Sequence, residues 1–131
     1  MIDLINNKQY MSQVRNFNGL SYGKISPTDI DGFLEYRNQL FVFIETKYGN
    51  TDLPTGQRIA LTRLCDAVAS SGKRAVLLVV RHEFAPDEDI MVAQCAVERY
   101  YLEGKWVDLG EGSIMTVRDA IDIHHRIVFG K

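Results

Sequence analysis

Two aspartates, Asp29 and Asp31, stand just ahead of the short run Gly32-Phe33-Leu34, and Glu45-Thr46-Lys47 closes the next apolar run, Leu40-Phe41-Val42-Phe43-Ile44. Arg37-Asn38-Gln39 lies between the runs as a polar turn. In a strand, residues two apart point to the same face, so Glu45 and Lys47 share a side and Thr46 points away. Both faces of the run before them are apolar, as expected of a central strand covered on both sides. A carboxylate and an ammonium at the end of such a strand lose solvation unless they line a cleft or bind something. The stretch from Ser26 to Gly49 is therefore the candidate site, and its chemistry is that of opposite charges held together in a partly dry place.

Whether Asp31 joins that site depends on the turn. With Arg37–Gln39 as the whole loop, Asp31 lies opposite Glu45 and Asp29 opposite Lys47, and opposite residues of an antiparallel pair project to the same side. A loop shorter by one residue shifts the pairing and turns Asp31 to the other face, unless a bulge intervenes. Both registers are open at the level of sequence.

Pro27-Thr28-Asp29-Ile30-Asp31, a hairpin, and then Glu45-Thr46-Lys47 together resemble the signature of the PD-(D/E)XK nuclease superfamily, whose small single-domain members include Holliday-junction-resolvase-like and VRR-NUC-like nucleases. The resemblance implies that the Asp and the Glu bind a divalent metal and that the Lys positions or activates the attacking water. Carried onto this chain, it makes Asp31 and Glu45, with the carbonyl of Thr46, the ligands of Mg²⁺ (Mn²⁺ as a substitute), and places Lys47 beside them. Asp31 is preferred over Asp29 because it directly precedes Gly32-Phe33-Leu34; Asp29 is the alternative. Thr28-Asp29-Ile30 separates Pro27 from Asp31, where many members have Pro and Asp adjacent.

The remaining elements are those that must position this set. Residues 3–16 read as a short amphipathic helix. Small family members begin with such a helix and often carry an acid on it; here the acid is Asp3, a helix-start charge. Residues 17–25 form a loop with a short strand around Leu20-Ser21-Tyr22. A helix is expected from about 54 to 71, with Leu61, Leu64, Cys65 and Val68 on its inward face. Gln57 shares that face at the first turn and points toward the end of the Glu45–Lys47 strand, or else caps the helix in solvent. The resemblance favours the first, since several subfamilies carry a site-contacting Gln on this helix. Ala75–Val80 is a buried strand, and strand, helix, strand over this distance implies parallel pairing with 40–47. Ile90–Leu102 reads as one long strand, turned by Glu103-Gly104-Lys105 into Trp106-Val107-Asp108. Thr116-Val117-Arg118-Asp119 has capping-box form and opens a final helix to about Ile127, with Val117, Ala120, Ile121 and His124 on one face.

At 131 residues the chain is read as a single domain, 1–131, with 46% apolar and 24% charged residues, ordinary for a soluble globular protein. A net charge of −2 argues against a surface that coats nucleic acid, so any such contact comes from a local basic patch; Lys24, Arg58 and Arg81 are the candidates. Cys65 and Cys95 have neither disulfide-framework nor metal-finger spacing and read as buried free thiols of a cytoplasmic, reducing setting. No apolar run is long enough to span a membrane, and the N-terminus lacks signal-peptide form. Adjacent helical residues diverge by about 100°, so His124 and His125 do not chelate one ion together. The acidic loop Asp87-Glu88-Asp89 lacks calcium-loop spacing.

The expectation is thus an α/β fold, a mixed central β-sheet flanked by helices, with a restriction-endonuclease-like core. Its expected activity is Mg²⁺-dependent hydrolysis of nucleic-acid phosphodiesters, DNA first, through Asp31, Glu45, Lys47 and Gln57. A homodimer fits the junction-resolving relatives. The alternative is a catalytically inactive module of the same fold, binding nucleic acid or inhibiting a partner.

Overall fold

The computed structural model describes residues 16–49 and 51–130. The helix expected over 3–16, apart from Asn16, and Asp3 with it, lie outside the described residues. Strands β1 (Gly32–Tyr36), β2 (Leu40–Tyr48), β3 (Arg74–His82), β4 (Ala96–Leu102) and β5 (Lys105–Asp108) form one sheet in the order β1-β2-β3-β4-β5. Helix α1 (Thr55–Ala69) joins β2 to β3, and α2 (Val117–Phe129) follows β5. The β2–β3 pair is parallel and the other pairs are antiparallel. The fold is a mixed α/β one, as composition and spacing predicted.

The β1–β2 turn settles the open register. Arg37 and Asn38 take positive φ, 50° and 59°, and the Gln39 N–H donates to the Tyr36 carbonyl at 2.9 Å. Asn tolerates this conformation better than most residues, and the Glu35 carboxylate accepts the Asn38 N–H at 2.6 Å. Gln39 stays outside both strands, so Tyr36 pairs with Leu40 and Gly32 with Ile44. Continued by one residue, this register sets Asp31 opposite Glu45.

Alternation along the strands makes two cores. Leu40, Val42, Ile44, Val76, Leu78 and Val80 face α2, where Val117 and Ala120 meet them. Phe43, Leu77, Val79 and Tyr101 face α1 and pack on Leu61 and Cys65. Cys65 and Cys95 thus belong to cores on opposite faces of the sheet, and both are free thiols.

Three sequence expectations change. Leu64 does not join the inward face of α1; it is 36% exposed, while Leu61 and Cys65 carry the contact. Residues 90–95 are not strand: Val92–Gln94 is a 3-10 turn, and β4 begins at Ala96. Hydrophobicity alone extended that strand, but Ile90 and Met91 have no sheet to pack on and stay exposed. Around Leu20–Tyr22 there is a tight turn closed by paired Tyr22 and Ile25 backbone bonds, not a sheet strand.

Helix α2 starts at the expected capping box, with Thr116 and Asp119 bonding each other's backbone N–H. It runs to Phe129, two residues past the expected end, and stops at Gly130 with φ 74°. His124 on its inner face is buried and accepts a hydrogen bond from Arg74 Nε at 2.9 Å. Burial, and then the Arg74 charge, push its pKa down to about 4. The sign follows from the neutral folded form. Unfolded His binds a proton near pH 6.5, so stability is fully present above that pH and is lost as pH falls toward 4. A shift of this size corresponds to about 3 kcal/mol. His124→Gln, which keeps an acceptor for Arg74, should flatten the pH dependence of unfolding free energy between pH 6.5 and 4; parallel denaturant titrations at several pH values measure this.

Candidate active site

At the carboxyl end of β2, Asp31, Glu45, Lys47 and Gln57 are joined by hydrogen bonds. Glu45 has the parity of Phe43 and therefore lies on the α1 face, where it is 0% exposed. Its Oε2 accepts the Asp31 backbone N–H at 2.8 Å, and its Oε1 accepts the side-chain amide of Gln57. The Asp31 carboxylate lies along the edge of β2, where Oδ2 accepts the Thr46 backbone N–H at 2.8 Å and the Thr46 hydroxyl at 3.1 Å. Ile30 would occupy this place if β1 ran on; because β1 stops at Gly32, the Asp31 side chain takes the ladder position instead. An extended residue points its N–H and C=O toward the same edge, so the Thr46 carbonyl also opens on the Asp31 side.

Gln57 comes from the first turn of α1, and the loop before that helix is pinned from the sheet. Arg81 of β3 pairs with Glu98 and donates to the Gly49 carbonyl and to the Thr51 carbonyl, the last at 2.6 Å. Arg99 of β4 holds Asp52 at 2.7 Å, and buried Leu53 anchors the loop in the core below. With the helix start so fixed, Gln57 Oε1 accepts from Lys47 Nζ at 3.5 Å, and its Nε2 also lies 3.4 Å from the Asp29 carbonyl.

Arg81 is therefore not a free phosphate contact, as the sequence suggested. It sits opposite Lys47 in the β2–β3 register, but its charge is taken up by Glu98 and its remaining donors by loop carbonyls. The Arg81–Glu98 clamp was not legible in sequence, because it depends on a register shift between Val79 and Val80 that re-aims the β4 side chains. Arg58 is half-buried on α1, and Lys24 is exposed.

The electrostatics follow from this packing. Burial raises the pKa of Glu45 above the ordinary carboxylate value; the Asp31 N–H opposes the rise, the Asp31 charge adds to it, Lys47 opposes it, and Asp29 adds to it. A buried carboxylate beside two others is in a situation that a cation would relieve. The oxygens present, two carboxylates and the Thr46 carbonyl, are hard donors suited to Mg²⁺, an ion that keeps several of its own waters. Among the described residues no three His, Cys, Asp or Glu side chains gather to hold an ion by themselves. Backbone oxygens and water would have to complete any shell built on these two carboxylates.

No family model, no curated protein and no solved structure matches the chain. Among the described residues no helix is long and apolar enough to cross a membrane.

A raised carboxylate pKa also has a stability sign. The folded protein holds the Glu45 proton to higher pH than the unfolded chain, so metal-free stability declines as pH rises above the ordinary value of 4.5 through the raised one. Glu45→Gln, which cannot ionise, should therefore show a smaller fall in Tm between pH 5 and pH 8 in EDTA than the wild type. Thermal unfolding of both proteins at the two pH values checks it; an equal or larger fall in the variant would mean that ionisation of Glu45 does not destabilise the fold.

Proposed function

We propose that the chain is a metal-dependent nuclease of the PD-(D/E)XK type that hydrolyses phosphodiester bonds, DNA being the favoured substrate. The observation that carries the reading is the network of Glu45, Asp31, Lys47 and Gln57 at the end of one central strand, with Glu45 held there in spite of full burial. The sheet supports a restriction-endonuclease-like core, since the strand bearing Glu45 and Lys47 lies between an antiparallel hairpin partner and a parallel strand reached through α1.

In this reading Asp31, Glu45 and the Thr46 carbonyl would hold Mg²⁺, which when bound would supply Lewis acidity toward the phosphoryl oxygen and a lower pKa for the attacking water. Lys47 supplies a compact positive charge that orients the water and offsets the negative charge of the transition state. It can do so because the neighbouring cation, Arg81, is already neutralised by Glu98. Arg58, on the helix that carries Gln57, would contact the phosphate backbone, which positions a substrate without reading its sequence. A homodimer would let two such sites act on paired strands, and the unpaired cysteines suit an intracellular setting.

A second reading, a non-catalytic nucleic-acid-binding or inhibitory module, is favoured by one specific observation. The carboxylates of both proposed ligands are already internally partnered, Asp31 by Thr46 and Glu45 by Gln57. Turnover separates the two. Purified protein should cleave duplex, flap, junction or single-stranded oligonucleotides with Mg²⁺ or Mn²⁺ and not in EDTA. Lys47→Ala should reduce the rate by about 100-fold or more while metal binding persists, because it removes a charge and not a ligand. Binding without cleavage of any substrate by the wild type would favour the second reading, and near-normal cleavage by Lys47→Ala would remove that residue from the mechanism.

Charge makes a further expectation. Without a cation, Asp29, Asp31 and Glu45 repel a phosphodiester; with Ca²⁺ bound, that charge is offset and Lys47 dominates. Anisotropy titrations at constant ionic strength should show tighter nucleic-acid binding with Ca²⁺. Asp31→Asn should bind nucleic acid more tightly than wild type in EDTA, by on the order of 1 kcal/mol, while holding the ion less well. Equal binding by both proteins in EDTA, unchanged by Ca²⁺, would place Asp31 away from any phosphate.

A further inference from the structure

The Gln57 carboxamide makes contacts of two opposite kinds. Its nitrogen donates to Glu45 Oε1 and lies 3.4 Å from the Asp29 carbonyl, both of them acceptors only. Its oxygen accepts from the Lys47 ammonium, a donor only, at 3.5 Å. The reverse orientation would set amide oxygen against carboxylate and carbonyl, and amide N–H against ammonium, so chemistry selects the orientation found. The carboxamide thus presents a positive edge to the site's oxygens and a negative edge to its lysine.

A cation held by Glu45, with a water turned toward Lys47, would present the same pattern. We infer that Gln57 is a built-in stand-in for the ion and its water: its carboxamide lies between Glu45 and Lys47, satisfies the buried carboxylate, parks the ammonium, and has to turn aside when a divalent cation binds. This inference rests on the metal-nuclease reading and adds a regulation of that same site. Gln57 is in this role a gate, and not a group that helps to build the ion site.

The two roles differ in sign. A stand-in competes with the ion, so removing it should tighten cation binding. It also leaves the Glu45 carboxylate without its amide partner, which strengthens its demand for a cation. A residue that preorganises Glu45 would, on removal, weaken binding. Gln57 lies in the first turn of α1, one turn before buried Leu61, and is not itself among the buried core residues, so its replacement leaves the helix–sheet core in place.

The test is Mn²⁺ binding to the full chain without nucleic acid, by calorimetry and by loss of the free-ion electron paramagnetic resonance signal, for wild type and Gln57→Ala. The expected result is Mn²⁺ binding roughly tenfold tighter in Gln57→Ala, the equivalent of about 1.4 kcal/mol. A second readout needs no variant. In ¹⁵N spectra of the wild-type protein, the Gln57 side-chain amide should move on Ca²⁺ addition from a carboxylate-bonded shift toward that of a solvated amide. Equal or weaker Mn²⁺ binding by Gln57→Ala, or a Gln57 amide unmoved by saturating Ca²⁺, overturns the stand-in and leaves the metal-site reading intact. No Mn²⁺ binding by either protein overturns both.

Discussion

A carboxylate without solvent contact sits toward the carboxyl end of β2, an interior strand of this sheet, and the surrounding structure is arranged around the need to satisfy it. Glu45 sits where the chain alternation would place another core residue after Phe41 and Phe43. A buried carboxylate left unpaired is among the most expensive groups a fold can contain. Here it is met by the backbone N–H of Asp31, the residue just before the neighbouring strand, an amide from the helix, and a lysine on its own strand. The proton affinity of Glu45 stays raised despite those partners, so the packing holds the group without making it comfortable. Strain of that kind is common where binding, and not stability, decided the residue.

Each partner depends on a separate constraint. The Asp31 N–H reaches Glu45 only because the turn at Arg37 and Asn38 keeps Gln39 outside both strands. The Gln57 amide reaches it only because α1 starts where it does, and that start is set by Arg81 and Arg99 gripping the loop between Gly49 and Leu53. Arg81 is also the cation opposite Lys47 in the β2–β3 register, and Glu98 on the adjacent strand neutralises it. Residues that look like substrate contacts by charge alone can thus be scaffold, and Arg81 is the instance. The two apolar cores, one on each face, make the platform rigid enough for these small adjustments to matter.

Local rules carried most of what the sequence could express. The apolar runs at 40–44 and 75–80, the helix between them and the capping box at Thr116 follow from periodicity and side-chain chemistry over a few residues, and all are present. The parity of Glu45 and Lys47 needs only the strand itself, and the inward aim of Gln57 needs only helical spacing. Local rules misled where hydrophobicity had no neighbour to act on: Leu64 faces outward, and Ile90 and Met91 precede the strand they were expected to begin.

What tertiary structure alone decided is contact between distant segments. The β1–β2 register turns on one residue, and sequence allowed two answers; the backbone conformation at Arg37 and Asn38 chose the one that sets Asp31 beside Glu45. The register shift opposite Val79 and Val80, where Glu98 is the extra residue of β4, brought Glu98 to Arg81 on the adjacent strand, and no pattern within either strand encodes that meeting. The Gln57 bridge joins a helix to a strand and to the carbonyl of Asp29. Periodicity specifies which face a side chain takes on its own element, because that depends on backbone geometry within a turn or two. Which partner waits on that face depends on how elements pack, and that is settled only when the whole sheet and its helices bury their surfaces together.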